Sequence, residues 1–232
     1  MTPGELMALH VDALFRLDEQ GRMLGNNTLA FEAAPRFYLG RCEEGAAALV
    51  RHDVAPAIAA DLLELASSEP PHMPPRTPPR HADRYIELLE EDGPIGRVYF
   101  GPAMALPGGT WLPPGEARRL ALEDVPALRP HFPWLEADIE AGEPAFGAFR
   151  DGVVVAQCSC ARLTDEAAEA GVEVAEAYRG QGLAKAAVAA WAQHMRAAGR
   201  VVMYSTWWEN EASLAVAAAL GFEAYATDWH AT

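Results

Sequence analysis

Apolar and polar positions divide the chain into short elements that alternate between helical and extended spacing. Residues 3–13 carry apolar side chains at helical spacing and predict a first helix. Two short runs, 14–17 and 22–24, flank Asp18, Glu19, Gln20 and Gly21 and predict a hairpin. A second strand pair is expected at 36–39 and 47–52, separated by residues 40–45, with a helix over 56–66 after it. From Pro70 to Pro79 six of ten residues are proline, which rules out helix and central strand and leaves an extended loop. Helical spacing returns over 81–91, with Tyr85, Leu88 and Leu89 on one side, and 97–104 reads as a strand.

Residues 106–115 concentrate the residues that punctuate structure, with Pro107, Gly108, Gly109, Pro113, Pro114 and Gly115. We therefore divide the chain into an N-terminal α/β region, 1–112, and a C-terminal domain, 113–232. The C-terminal part predicts a strand at 117–122, helical stretches at 123–129 and 133–141, and strands at 145–150 and 153–163. Asp151 and Gly152 join the last two, and Asp-Gly between apolar runs is a strong hairpin signal. A strand over 171–175 then runs into a glycine-bearing turn. A helix to residue 198, a strand at 201–206, a helix over 210–220 and a last strand from Phe222 complete the order.

Composition narrows the classes of function. The 232 residues are 50% hydrophobic and 22% charged, the balance of a chain that folds by packing rather than a disordered or disulfide-stapled one. Eighteen basic residues against 33 acidic ones give a net charge of −15, which repels phosphate backbones and anionic lipid, so neither nucleic acid nor a membrane is an expected partner. No apolar stretch approaches the ~20 residues of a membrane span, and the N-terminus has no basic leader. The expected location is cytoplasmic. Cys42, Cys158 and Cys160 have no metal-ligand spacing, so buried thiols and no metal are expected.

Against this acidic background the segment from Glu176 to Arg200 is basic: Arg179, Lys185, Arg196 and Arg200 face Glu176 alone. It begins where a strand ends in a turn with Gly180 and Gly182 and opens a helix. The first turn of a helix has amide hydrogens without intrahelical partners and a positive dipole end, which suits phosphate. Two glycines at a helix start are on general grounds just as well a tight turn. Neither the Walker pattern nor the Rossmann pattern is present.

The flanking residues are more specific. Arg179, Gly180, Gln181, Gly182, Leu183 and Ala184 fit the motif of Arg or Gln, two residues, Gly, one residue, then Gly or Ala. Asn210, Ser213, Val216, Leu220, Gly221 and Phe222 fit a second motif, an Asn followed by an amphipathic helix ending in Gly-Phe. In both, the chain resembles the GNAT acyltransferase superfamily over about residues 114–232. The resemblance implies a mixed, mostly antiparallel GNAT sheet with helices on both faces. Residues 1–112 carry no such motif, and a worn second copy of the fold, a substrate lid or a dimerisation element are all open readings of them.

The resemblance further implies acetyl-CoA as cosubstrate. Its pyrophosphate would lie on the turn made by Arg179, Gly180, Gln181, Gly182, Leu183, Ala184 and Lys185. Its pantetheine arm would run along Val172, Val174 and Ala175, with Asn210 and Ser213 also on the binding side, and a backbone N–H near Val174 would serve the oxyanion. The family's usual general acid, a Tyr seven residues after the Asn, is Ala217 here. Ser213, Tyr204 and Ser205 are the hydroxyls left to replace it, with water as an alternative. Glu173 is the candidate base, since alternation sets it on the opposite face from Val172 and Val174, although a plain edge carboxylate has the same pattern. Glu209 reads as a helix-start charge, His194 as a core or surface histidine, and Trp207 and Trp208 as packing or pocket-lining aromatics.

The reading is an N-acetyltransferase acting on a primary amine of a small molecule or peptide, with acidic surroundings suited to a cationic acceptor and a homodimer compatible with the chain. A non-catalytic acyl-CoA-binding or sensing module is the alternative, favoured by Ala217 and by the unassigned N-terminal half, and a structural partner with a degenerate fold is a third reading, which the intact phosphate turn counts against.

Overall fold

The computed structural model of the chain describes residues 1–70 and 76–232. The middle of the expected proline-rich loop, 71–75, lies outside the described residues. The chain forms two compact units, one of Met1–Ala105 with Ser205–Glu211 and Ala224–Thr232, the other of Leu106–Tyr204 with Ala212–Glu223. A single cut at 112/113 therefore leaves two C-terminal segments on the wrong side, because the last strand pairs within the first unit.

In the first unit α1 (Pro3–Leu14) starts at Thr2, whose hydroxyl accepts from the Glu5 N–H while the Glu5 carboxylate accepts from the Thr2 N–H, so two end groups are satisfied reciprocally. β1 (Phe15–Leu17) and β2 (Met23–Asn26) form the expected antiparallel hairpin. β3 (Phe37–Cys42) and β4 (Gly45–Val50) pair in register from Phe37↔Val50 to Cys42↔Gly45. Only Glu43 and Glu44 separate them, so the strands reach through much of the 40–45 gap expected between them. After α2 (Pro56–Ser67), α3 (Ala82–Glu91) and β5 (Val98–Ala105), the unit is completed by β11 (Glu223–Ala231), which pairs antiparallel with β3. Strand order is β4-β3-β11-β5.

Every residue of β3 is buried, which requires cover on both faces. One face, with Phe37, Leu39 and Trp229, packs on Leu62 of α2 and on Tyr85, Leu88 and Leu89 of α3. The other, with Tyr38 and Ala226, packs on Met7 and Val11 of α1 and on Phe15 and Met23 of the hairpin. Glu69 accepts hydrogen bonds from the Arg80 and His81 N–H groups and the Tyr85 hydroxyl at 3.0, 3.0 and 3.1 Å. These bonds tie the chain on either side of the proline-rich stretch.

In the second unit only Arg118–Arg119 (β6) form the strand expected over 117–122. A 3-10 turn at Leu122–Asp124, α4 (Val125–Leu128) and α5 (Leu135–Glu140) follow. β7 (Phe146–Arg150) and β8 (Val153–Leu163) are antiparallel, joined by Asp151 and Gly152 at φ 49° and 78°, the left-handed pair that a two-residue hairpin needs. β9 (Ala167–Val174), α6 (Leu183–Ala197), β10 (Val201–Ser205) and α7 (Glu211–Leu220) complete it, in strand order β10-β9-β8-β7-β6. α6 buries Leu183, Ala187, Val188, Trp191, Ala192 and Met195. α4 and α5 close a cluster of Leu128, Leu135 and Ile139 with Leu120, Ala145 and Val154. The whole is a mixed, mostly antiparallel α/β fold with helices on both faces of its strands.

Among the described residues no helix is long and apolar enough to cross a membrane. Cys42, Cys158 and Cys160 are buried free thiols.

One close approach in the first unit gives a direct test of packing. A Cβ on Gly101 would collide with the backbone carbonyl of Thr206, where the 205–211 segment crosses β5. Gly101→Ala should destabilise the protein by at least ~2 kcal/mol, the scale of overpacking against an element that cannot yield. A urea midpoint equal to that of the parent would show that the crossing is loose.

Candidate active site

The site is built around the far end of β9. β9 and β10 pair in parallel over three positions, Val201↔Ala167, Val202↔Ala168 and Met203↔Glu169, after which β9 continues to Val174 with β8 as its partner. At the same level β8 carries an irregularity between Cys160 and Arg162, which face Ala170 and Glu169. A bulge there increases local twist, at the level where the pairing of β9 with β10 stops. Ala175 donates its N–H to the Val155 carbonyl at 2.9 Å. Antiparallel ladders alternate, so the Val174 N–H points the other way, to the edge that β10 has left.

The chain leaves β9 through a 3-10 turn, Glu176–Tyr178, and enters α6 through Arg179, Gly180, Gln181 and Gly182. Gly180 and Gly182 have φ of 75° and 78°, a region that side chains disfavour, so the turn depends on both. Nothing lies within 4 Å of a Cβ built on Gly180. No side chain caps α6 at Gly182, and the Ala186 N–H is the first to bond back, to the Gly182 carbonyl at 3.3 Å. The amides of Leu183, Ala184 and Lys185 are thus the orphan donors of a 15-residue helix. Arg179, Gln181 and Lys185 are exposed around them. The Arg179 Nε lies 3.5 Å from the Val174 carbonyl, at the limit of a hydrogen bond.

Val174 packs with Ala156 and Leu183, on the face that α6 covers. Glu173 takes the opposite face and is exposed. Its cross-strand partner is Gln157, fully buried, with neither side-chain polar atom hydrogen-bonded among the described residues. The sequence reading passed over Gln157, although it is the one strongly polar side chain in the apolar run 153–158.

The structure brings two of the three candidate hydroxyls together. Tyr204, 2% exposed on β10, has its hydroxyl 2.8 Å from Ser213 Oγ on the first turn of α7. Ser213 stands four residues before Ala217, one turn earlier on the same helix face. Ser205, next to Tyr204 on the strand, projects to the other face and is not part of this pair. Asn210 is exposed just before α7 and folds with the first unit, as do Glu209, Trp207 and Trp208. His194 packs beside Phe146 with ring centroids 5.4 Å apart. Burial, helped by the Arg119 and Arg200 charges, holds its pKa below the ordinary histidine value, the behaviour of a packed neutral ring. Burial also raises the Cys158 thiol well above its ordinary value and Cys160 to about 11, which removes both as nucleophiles.

Residues 144–229 match the family model described as GNAT acetyltransferase. Solved structures share the fold. An acetyltransferase of the GNAT family from Colwellia psychrerythraea is 18% identical with a TM-score of 0.52, over 100% of this chain and 98% of that one. A GCN5-related N-acetyltransferase-like protein from Streptococcus suis is 16% identical with a TM-score of 0.50, over 99% of each. A GNAT-family protein from Novosphingobium aromaticivorans is 23% identical with a TM-score of 0.51, over 60% of this chain and 66% of that one, a little under two thirds of its length. No curated protein matches the chain.

Burial raises the Tyr204 pKa above the ordinary tyrosine value of 10.0, against the opposing effect of its hydrogen bond with Ser213 and with a push from Cys158. The folded protein then holds this proton more tightly than the unfolded chain does. The resulting stability is fully present below pH 10 and is lost as pH rises through the folded value. Tyr204→Phe should cost about 1 kcal/mol at neutral pH, the usual worth of a buried hydrogen bond, and should remove that alkaline loss. Denaturant unfolding of parent and variant should therefore converge above pH 10. A constant gap across the alkaline range would mean that the phenol titrates as it does in water.

Proposed function

We propose that this chain, whose C-terminal part belongs to the GNAT family, is an N-acetyltransferase that moves an acetyl group from acetyl-CoA to a primary amine by direct attack. The observation that carries the reading is the pairing, within one unit, of a helix start with free amides and a strand edge that has lost its neighbour. The Leu183, Ala184 and Lys185 amides with the Arg179 and Lys185 cations suit a pyrophosphate. The edge of Val172 to Val174 suits an amide-bearing arm that completes the ladder. When bound, acetyl-CoA supplies an acyl carbon activated as a thioester, and the reaction forms a C–N bond as the C–S bond breaks.

The chain's own groups would supply the rest. The Val174 N–H donates to the carbonyl oxygen as negative charge grows there, a donor fixed in place beforehand. Glu173 takes the proton that the amine must lose. Ser213, whose proton is shared with Tyr204, gives one to the departing sulfur. A thiol with a pKa near ~8.5 is a tolerable leaving group, so this last step is an aid worth ~10²-fold rather than a requirement. The hydroxyl pair also weakens one of the two grounds for the binding-module alternative, Ala217; the other is the N-terminal region without a motif. The net charge of −15 favours an acceptor that arrives as a cation, such as a polyamine, an aminoglycoside or a lysine-bearing peptide.

Calorimetric titration with acetyl-CoA and CoA, run beside a thiol-release assay over a panel of amines, tests the reading. Binding with amine-dependent release is expected; binding without release would select the sensing module. Gly182→Asp should weaken CoA binding ~10-fold or more, since it sets a carboxylate in the phosphate path while an acidic side chain still tolerates the left-handed backbone. Unchanged CoA affinity would remove the turn from the site. Glu173→Gln should lower kcat ~10²-fold with acetyl-CoA affinity unaltered, and an unaffected kcat would remove Glu173 as the base.

A further inference from the structure

The first unit carries a half-buried aromatic cluster on the face of β5 and β11 opposite its core. Val98, Phe100 and Trp229 turn into the core against α2 and α3. Arg97, Tyr99 and His230 take the opposite face of β5 and β11 by alternation. The 205–211 segment crosses that face at Gly101, with the Trp208 N–H donating to the Phe100 carbonyl at 3.3 Å. The crossing sets Trp207 edge-on to Tyr99, centroids 4.7 Å apart at 66°, and Tyr99 stacks on His230 at 4.7 Å and 10°. The Arg97 guanidinium lies 4.2 Å over the Trp207 ring.

Arg97 is one of several exposed arginines without a carboxylate partner among the described residues, with Arg16, Arg76, Arg80, Arg119 and Arg179; it is the one stacked on the ring cluster of Trp207, Tyr99 and His230. Arg22 pairs with Asp18, Arg84 with Glu87, Arg118 with Asp124 and Arg129 with Glu136. Arg97 is exposed, and its guanidinium makes no ion pair among the described residues. Stacking on an indole fixes the plane of a guanidinium while leaving its edge N–H groups free to form a fork. That fork matches a carboxylate in two parallel hydrogen bonds. A cationic ligand finds the Trp207 ring face already taken by Arg97, and a doubly charged phosphate meets a single cation in a chain of net charge −15.

We propose that this face binds a small monocarboxylate with an aromatic or flat apolar body, the carboxylate on Arg97 and the body against the rings of Trp207, Tyr99 and His230. The site lies in the first unit and does not depend on acetyl transfer, so it stands or falls apart from that activity.

The test is calorimetric titration of the full chain with phenylacetate, with benzylamine and phenyl phosphate as probes of opposite and doubled charge. Phenylacetate should bind one per chain and more tightly than either. Arg97→Gln, an exposed substitution that leaves the core intact, should weaken it at least 10-fold, and Arg97→Lys should restore only part. Arg119→Gln, which removes an exposed cation from the second unit, should leave it unchanged. No binding, equal binding of benzylamine, tighter binding of phenyl phosphate, or an equal loss in Arg97→Gln and Arg119→Gln would each overturn the proposal.

Discussion

The candidate site depends on one irregularity in a strand pair. While β8, β9 and β10 keep a regular ladder, every backbone donor of β9 has a partner and the strand offers nothing to a ligand. The bulge between Cys160 and Arg162 falls opposite Ala170 and Glu169, where the pairing of β9 with β10 ends. Past that point β9 is held from one side by β8, and its other side presents the amide of Val174. An open edge of this kind is normally a liability that invites other strands. Here the chain turns at Ala175 into a glycine turn and a helix start, so the exposed length is five residues at most and ends in a cluster of amides with its own preference for anions.

That turn and the open edge need each other. A helix start without side-chain cap leaves donors that water satisfies at no great cost, so by itself it identifies nothing. Gly180 and Gly182 in the left-handed region lead the chain from the end of β9 into α6, so the orphan amides of Leu183 to Lys185 follow directly on the free edge of Val172 to Val174. A ligand with a phosphate at one end and amides along its length can meet both. The local excess of positive charge from Arg179, Lys185, Arg196 and Arg200 in a chain of net charge −15 has a sensible place in this arrangement. Arg196 and Arg200, however, spend their guanidinium groups on the Thr110 and Thr164 carbonyls and serve packing instead.

Most elements were legible because their signals are local. The capped start of α1, the Asp151–Gly152 hairpin and the Gly180–Gly182 turn are all read from a few neighbouring residues. What escaped is non-local. The start of β9 at Ala167, four residues before the expected strand, is hidden because Ala167, Ala168 and Ala170 carry little β signal and are held by pairing with both β8 and β10. The short β6 and the bulge at Ala161 leave no mark in composition. The place of β11 beside β3 is a matter of topology, and a linker rich in proline and glycine at 106–115 cannot announce that the chain will return to the first unit afterwards. In the site, Glu173 and the turn could be named from spacing, whereas the buried amide of Gln157 beside Glu173 and the bond between Tyr204 and Ser213 needed coordinates.

Under the proposed function, that bond bears on how the site would work with Ala217 in place of a hydroxyl. Ala217 is fully buried on α7, so the position offers no hydroxyl. Ser213 lies one turn earlier on the same face, and Tyr204 reaches it from β10 at 2.8 Å. A serine hydroxyl alone is a poor acid, and a buried tyrosine alone holds its proton more firmly than in water, as the direction of its shift requires. Joined, the two behave differently: when Ser213 gives up its proton, the Tyr204 hydroxyl can turn its own toward the oxygen left behind. Under the proposed function, the phenol kept neutral by burial would be a stored proton one hydrogen bond away from a half-buried serine, and a strand residue would serve where position 217 of the helix has no hydroxyl.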